Sequence, residues 1–165
     1  MSKGNSGLFI GTKGSKQENK ASKPLLNQNL SKEKNELIQK VIDQGHKISP
    51  DKVLDIGTMP NGKIVWIEIG KLGERASGLA HILDKHNNEL NNLGISNKDV
   101  PSFIKKVLAK NKVVGIQGEQ NDFPRSIYET EVNKKIVYVA ISVSENGYIV
   151  GANLISKYKI KEKIK

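Results

Sequence analysis

The 165-residue chain has no cysteine, one tryptophan and few aromatic side chains of any kind, 5% in all. Without cysteine there is no disulfide scaffold, thiolate zinc site, iron–sulfur cluster or cysteine nucleophile. No apolar run approaches the ~18–20 residues of a membrane-spanning helix, and the first residues carry no signal-peptide core. If the protein leaves its cell, the address is expected outside this segment. The apolar content of 36% is low for a wholly globular chain, so part of the sequence is expected to stay unpacked. Also missing are a Gly-rich phosphate loop, a dinucleotide fingerprint and a nucleophile elbow. No spacing of carboxylates singles out a catalytic pair.

Positive charge is present in excess, with 27 basic against 17 acidic side chains, but it collects at the ends. Residues 1–30 and 154–165 each hold five Lys and one Glu, whereas residues 51–153 hold 13 basic and 12 acidic groups. The basic pI is thus not one large nucleic-acid face. Lysine-rich ends are either solvated or a source of salt-sensitive phosphate attraction.

Residues 1–30 are rich in Gly, Ser, Lys and Asn and read as a flexible leader, with too little apolar surface to offset the entropy of ordering. A domain over 31–156, with its core from about 50, is expected to follow, and 157–165 to form a basic tail. Ser31 caps a short helix that Gly45 ends. Two β-rich runs, 52–56 and 63–69, flank Pro60-Asn61-Gly62, a hairpin signal. Ser77 is placed to cap a second helix to about Leu90, and a third starts near Asn97 or Asp99 and runs to Lys110 with Val100, Phe103, Ile104, Val107 and Leu108 inward. Runs at 112–117, 126–132, 135–143 and 148–153 then read as an antiparallel meander. The expected fold class is α+β, with helices packed on one face of a mostly antiparallel sheet.

Chemistry concentrates in Gly78-Leu79-Ala80-His81-Ile82-Leu83-Asp84-Lys85-His86, which holds two of the three histidines. Five residues apart, they point about 140° from each other on a helix, which disfavours a zinc pair. No metal or other cofactor is expected. His86 falls on the stripe of Leu79, Ile82, Leu83 and Leu90, and His81 lies nearly opposite. A boundary histidine and a surface histidine are the plainer alternatives. Histidine is nonetheless the natural proton carrier near neutrality. On the strands, Arg125 follows Pro124, and Tyr128 and Thr130 share a face. Tyr138, Ala140, Ser142 and Ser144 alternate with Val137, Val139, Ile141 and Val143. The β-branched face should lie under the helices, leaving the other small, polar and open, as a binding face or plain exposed surface.

Together these segments resemble a family. They are Val65-Trp66, Gly78-Leu79-x-His81-Ile82-x-x-x-His86, Gly94-Ile95, Val114-Gly115-x-Gln117-Gly118, Arg125-x-Ile127-Tyr128-Glu129 and Val143-x-x-Asn146-Gly147-Tyr148-Ile149-Val150-Gly151-Ala152-Asn153. Over roughly residues 50–156 the chain resembles the C-terminal toxin domains of bacterial contact-dependent growth inhibition and related polymorphic toxins. More broadly it is similar to ribonucleases of the barnase–EndoU–colicin–RelE fold group. Leu154 stands where such sequences usually carry proline.

The resemblance implies a metal-independent ribonuclease acting on RNA, tRNA in particular. It also implies a cognate immunity protein, with elongation factor Tu as an accessory used by some relatives. Such a domain is delivered as part of a larger secreted or surface protein and acts in the cytoplasm of a target cell. His81 and His86 match the helix motif, Arg125 the strand-entry arginine, and Ser142 a position that is often Thr. They are the expected catalytic residues. Tyr128, Thr130 and Asn153 are expected to position substrate. The alternatives are a non-catalytic module that binds nucleic acid or protein through the polar sheet face, and cleavage of something other than RNA.

Overall fold

The computed structural model describes residues 26–118 and 124–163, so residues 1–25 of the expected leader lie outside the described residues. Helix α1 (Lys32–Asp43) opens the domain, and the Ser31 hydroxyl accepts from Lys34 N–H at its start. Asn27 is buried and belongs to the domain rather than to the leader. Its backbone N–H donates to Asn35 Oδ1 at 2.7 Å, and its side-chain amide donates to the Pro50 and Val53 carbonyls.

Strands β1 (Val53–Thr58) and β2 (Ile64–Glu68) form the hairpin expected around Pro60-Asn61-Gly62. Met59 N–H donates to Lys63 O and Gly62 N–H to Met59 O, with Gly62 at φ +89°. Every residue of β2 is buried. Ile64 and Trp66 join Ile38, Val41, Val53 and Ile56 beneath α1, while Val65 and Ile67 enter the main core. Asp55, 5% exposed, pairs with Lys34 from α1 and with Lys105, which ties both helical layers to β1.

Helix α2 (Gly78–Asn92) and helix α3 (Val100–Lys110), the latter preceded by a 3-10 turn at Asn97–Asp99, follow. Pro101 sits in the first turn of α3, where its missing N–H costs no helical bond. The remaining strands are β3 (Val113–Gln117), β4 (Arg125–Val132), β5 (Lys135–Val143) and β6 (Ile149–Ile155), hydrogen-bonded in that order and all antiparallel. Ile82, Leu90, Val100, Ile104, Val107 and Leu108 pack on Tyr128, Val139, Ile141, Ile149 and Ala152. The fold is α+β, as expected. Burial of each such aliphatic side chain contributes about 1.5–3 kcal/mol.

The opposite sheet face is only partly open. Register places Ile127 beside Ala140 and Tyr138 beside Ile155, which makes an apolar strip. The tail folds as helix α4 (Lys157–Lys163) and sets Ile160 against that strip. The alternation of β5 alone suggested a polar face. The isoleucines of β4 and β6 supply the apolar half that α4 covers.

Two turns give testable consequences. Asn133 and Lys134 close the β4–β5 hairpin with φ of 51° and 67°, a mirror-image turn that favours glycine at its second position. Lys134→Gly is expected to stabilise the domain by about 0.5–1 kcal/mol, read from urea midpoints. At Gly147, φ +109°, a Cβ would lie 2.1 Å from Ile64 O, where β2 meets the start of β6 through Trp66 N–H donating to Gly147 O. Gly147→Ala should destabilise by about 2 kcal/mol or more, visible as a lowered Tm.

Candidate active site

Arg125 is the first residue of β4. Because Ser126 pairs with Ile141, Arg125 falls on the face of β4 that carries Ile127, level with Ser142 of β5. Ser142 pairs with Gly151 on β6, and Ala140 pairs with Asn153. Arg125 thus reaches across β5 to the next strand but one, where its Nη1 donates to Asn153 Oδ1 at 2.5 Å. The small side chains of Ala140 and Ser142 leave the guanidinium that path, and Gly151 completes it. A Cβ at Gly151 would sit 2.5 Å from Arg125 Nη2 and 3.3 Å from His81 Cδ2. The missing side chain at Gly151 is what allows the arginine and the histidine to share one notch. Ser142 is 3% exposed, and its hydroxyl lies 3.4 Å from Gly151 O.

Helix α2 packs along β6, so the helix flank bearing residues 81, 85 and 89 follows the free edge of that strand. Glu89 Oε2 accepts the Leu154 N–H at 3.2 Å, satisfying an edge group that proline at this position would lack. Glu89 Oε1 lies 2.5 Å from His86 Nδ1. His81 therefore reaches the sheet rim from the flank of the apolar stripe, instead of pointing away from the protein. His86 is half-buried and tied to Glu89.

The electrostatics separate the groups. Burial lowers the His81 pKa below its ordinary 6.5, and the positive charge of Arg125, then of His86 and Lys85, lowers it further, with Asp84 opposing. The imidazole is mainly neutral at pH 7 and ready to accept a proton. Burial also lowers the Arg125 pKa, but a guanidinium starts so high that it keeps its charge. The notch therefore combines a neutral base, a fixed cation, a hydroxyl and an amide beside bare backbone. Among the described residues, no group of three or more His, Cys, Asp or Glu is arranged to hold a metal ion.

The structure brings His81, Arg125, Ser142 and Asn153 together, with His86 adjoining through Glu89. It does not bring Tyr128 or Thr130 there. Both are buried, Tyr128 within the core under the helices, where burial raises its pKa. Period-two alternation puts 126, 128 and 130 on the face opposite Arg125, so neither side chain is placed to touch a substrate held in the notch.

Sequence reasoning missed Glu89 and Gly151. Glu89 carries a signal, three residues after His86 on the same helix. Gly151 does not, because its importance arises from three strands and a helix meeting. No family model matches the chain, and no curated protein matches it. The fold and the notch define an α+β domain with a candidate histidine–arginine site.

Proposed function

We propose that this chain is an antibacterial toxin domain, a metal-independent ribonuclease with tRNA as its expected target, held inactive by a cognate immunity protein. The observation that carries the reading is the convergence of His81, Arg125, Ser142 and Asn153 around Gly151. RNA brings its own nucleophile, the ribose 2′-OH. His81 takes the 2′ proton as the oxygen forms its bond to phosphorus. The phosphorus–O5′ bond breaks, and an acid supplies a proton to the departing O5′, leaving a 2′,3′-cyclic phosphate and a 5′-hydroxyl. His86 is the candidate acid, with Nδ1 on Glu89 and no hydrogen bond at Nε2 among the described residues. Arg125 neutralises the charge that builds on the phosphorane oxygens through its planar fork. Asn153 aims that fork.

In this reading the domain arrives in a target cell as the end of a larger delivered protein, with elongation factor Tu as a candidate accessory. The deciding experiment is induction in bacteria with and without the neighbouring open reading frame, followed by a gel of total RNA. Discrete tRNA fragments that vanish with the neighbour support the reading, whereas growth arrest with intact RNA moves the target elsewhere. In vitro, cleavage should survive EDTA and fail on a 2′-deoxy substrate.

A second reading is favoured by one feature. Arg125 is already bonded to Asn153 and partly buried, as it would be in a non-catalytic module that binds RNA or protein. Binding without turnover would establish that alternative.

A further inference from the structure

A second concavity, of about 330 Å³, opens next to the notch and is lined by Lys47, Lys52, Lys71, Glu68, Ser77 and Tyr148 among others. Its place follows from the two elements that frame the notch. Ser77 is four residues before His81 at the start of α2, about 6 Å along the helix axis, and Tyr148 lies three residues before Gly151 at the entry to β6. The Ser77 and Tyr148 hydroxyls are 2.9 Å apart. Burial raises the Tyr148 pKa and the nearby Glu68 charge raises it further, against the opposing bond to Ser77, so the phenol remains a proton donor.

The charge balance of this cleft is positive and unspent. Lys47, Lys52 and Lys71 are exposed, and none pairs with a carboxylate among the described residues. The one acid, Glu68, is 9% exposed and turned to the back wall, where Oε2 accepts from Trp66 Nε1–H at 2.9 Å and from Ser49 N–H at 3.1 Å. Ser77 occupies the N-cap position of α2 but makes no side-chain cap, its hydroxyl being engaged with Tyr148. That corrects the expectation that it caps the helix. A concave surface with three ammonium groups and two hydroxyls, about one turn of α2 from His81, suits a second phosphate of the same strand.

We propose that this cleft is an RNA subsite that holds the phosphate of a nucleotide neighbouring the one at Arg125. This rests on the ribonuclease reading for the identity of the strand. The subsite makes the domain a reader of short RNA segments rather than of isolated dinucleotides. It also supplies phosphate attraction that the nearly neutral central region otherwise lacks.

The test uses a 2′-O-methyl tetranucleotide, which binds but cannot be cleaved, titrated against the full chain over a salt series. Lys52→Gln/Lys71→Gln is expected to weaken binding roughly tenfold near 0.1 M salt and to make the log–log salt slope shallower by about 1.4. The charge-matched control Lys98→Gln/Lys135→Gln alters two exposed lysines that line no part of the cleft, and should change little. Equal losses in the two double variants, or no binding by the unsubstituted chain, would overturn the subsite. RNA cleavage measured in parallel keeps the two readings apart. Cleavage without cleft dependence leaves the nuclease and removes the subsite, while cleft-dependent binding without cleavage does the reverse.

Discussion

Replacing His81 with alanine is expected to lower kcat/KM for RNA cleavage by roughly 10²–10⁴-fold, the range that a positioned general base contributes. Stability should change by about 1 kcal/mol or less, because His81 is a half-buried residue at the sheet rim and not part of the hydrophobic core. The pH profile gives the assignment a direction. Burial and the Arg125 charge lower the His81 pKa below 6.5. A base must be neutral to act, so the acid-side limb of kcat/KM should belong to His81 and fall below pH 6.5, whereas an alkaline limb would report the group that protonates O5′. Lys85→Gln removes one of the charges that disfavour the imidazolium, and should move that limb upward. An acid-side limb that Lys85→Gln leaves in place would remove His81 as its source. Full activity in the alanine variant would remove it from the mechanism.

Gly151→Ala should produce an effect of similar size from a single methyl group. The new Cβ would meet Arg125 Nη2 at 2.5 Å, so the guanidinium must leave its place against Asn153. The arginine tip is flexible, and the glycine has no left-handed backbone angle, so the cost in stability should stay within about 1 kcal/mol. Activity should fall at least about 100-fold, because displacing a charge by an ångström forfeits its stabilisation of the transition state. Thermal unfolding measured beside initial rates separates the two quantities. A Gly151→Ala variant that folds normally and cleaves at the parental rate would show that Arg125 is structural. Arg125→Lys is a useful companion, since it keeps the charge and loses the two-pronged geometry.

Much of the architecture was legible before any coordinates. Ser31, Gly45, Gly62 and the Asn133-Lys134 pair mark ends and turns through local backbone chemistry, which depends on few neighbours. The alternation of Val139 and Ile141 with Ala140 and Ser142 told the face of β5 under α2 and α3 from the other, because side-chain period two is a property of any strand, but it did not show that the other face is buried too. Ser77 shows where local reasoning stops. Its type and place suit a helix cap, but Tyr148, 71 residues later, takes the hydroxyl.

The same division holds at the site. The sequence alone determined which groups were available, namely two histidines on one helix, an arginine at a strand entry, and small residues on the middle strands. Those follow from composition and short-range periodicity. The tertiary structure decided which of them meet. The pairing of β5 with β6 brought Ser142 beside Gly151 and Ala140 beside Asn153. The docking of α2 along β6 turned His81 toward Arg125 and gave Glu89 to Leu154. The face that β4 turns to the helices took Tyr128 and Thr130 out of reach. Such contacts join residues far apart in the chain, and their register is set by the packing of whole elements, which no local pattern records.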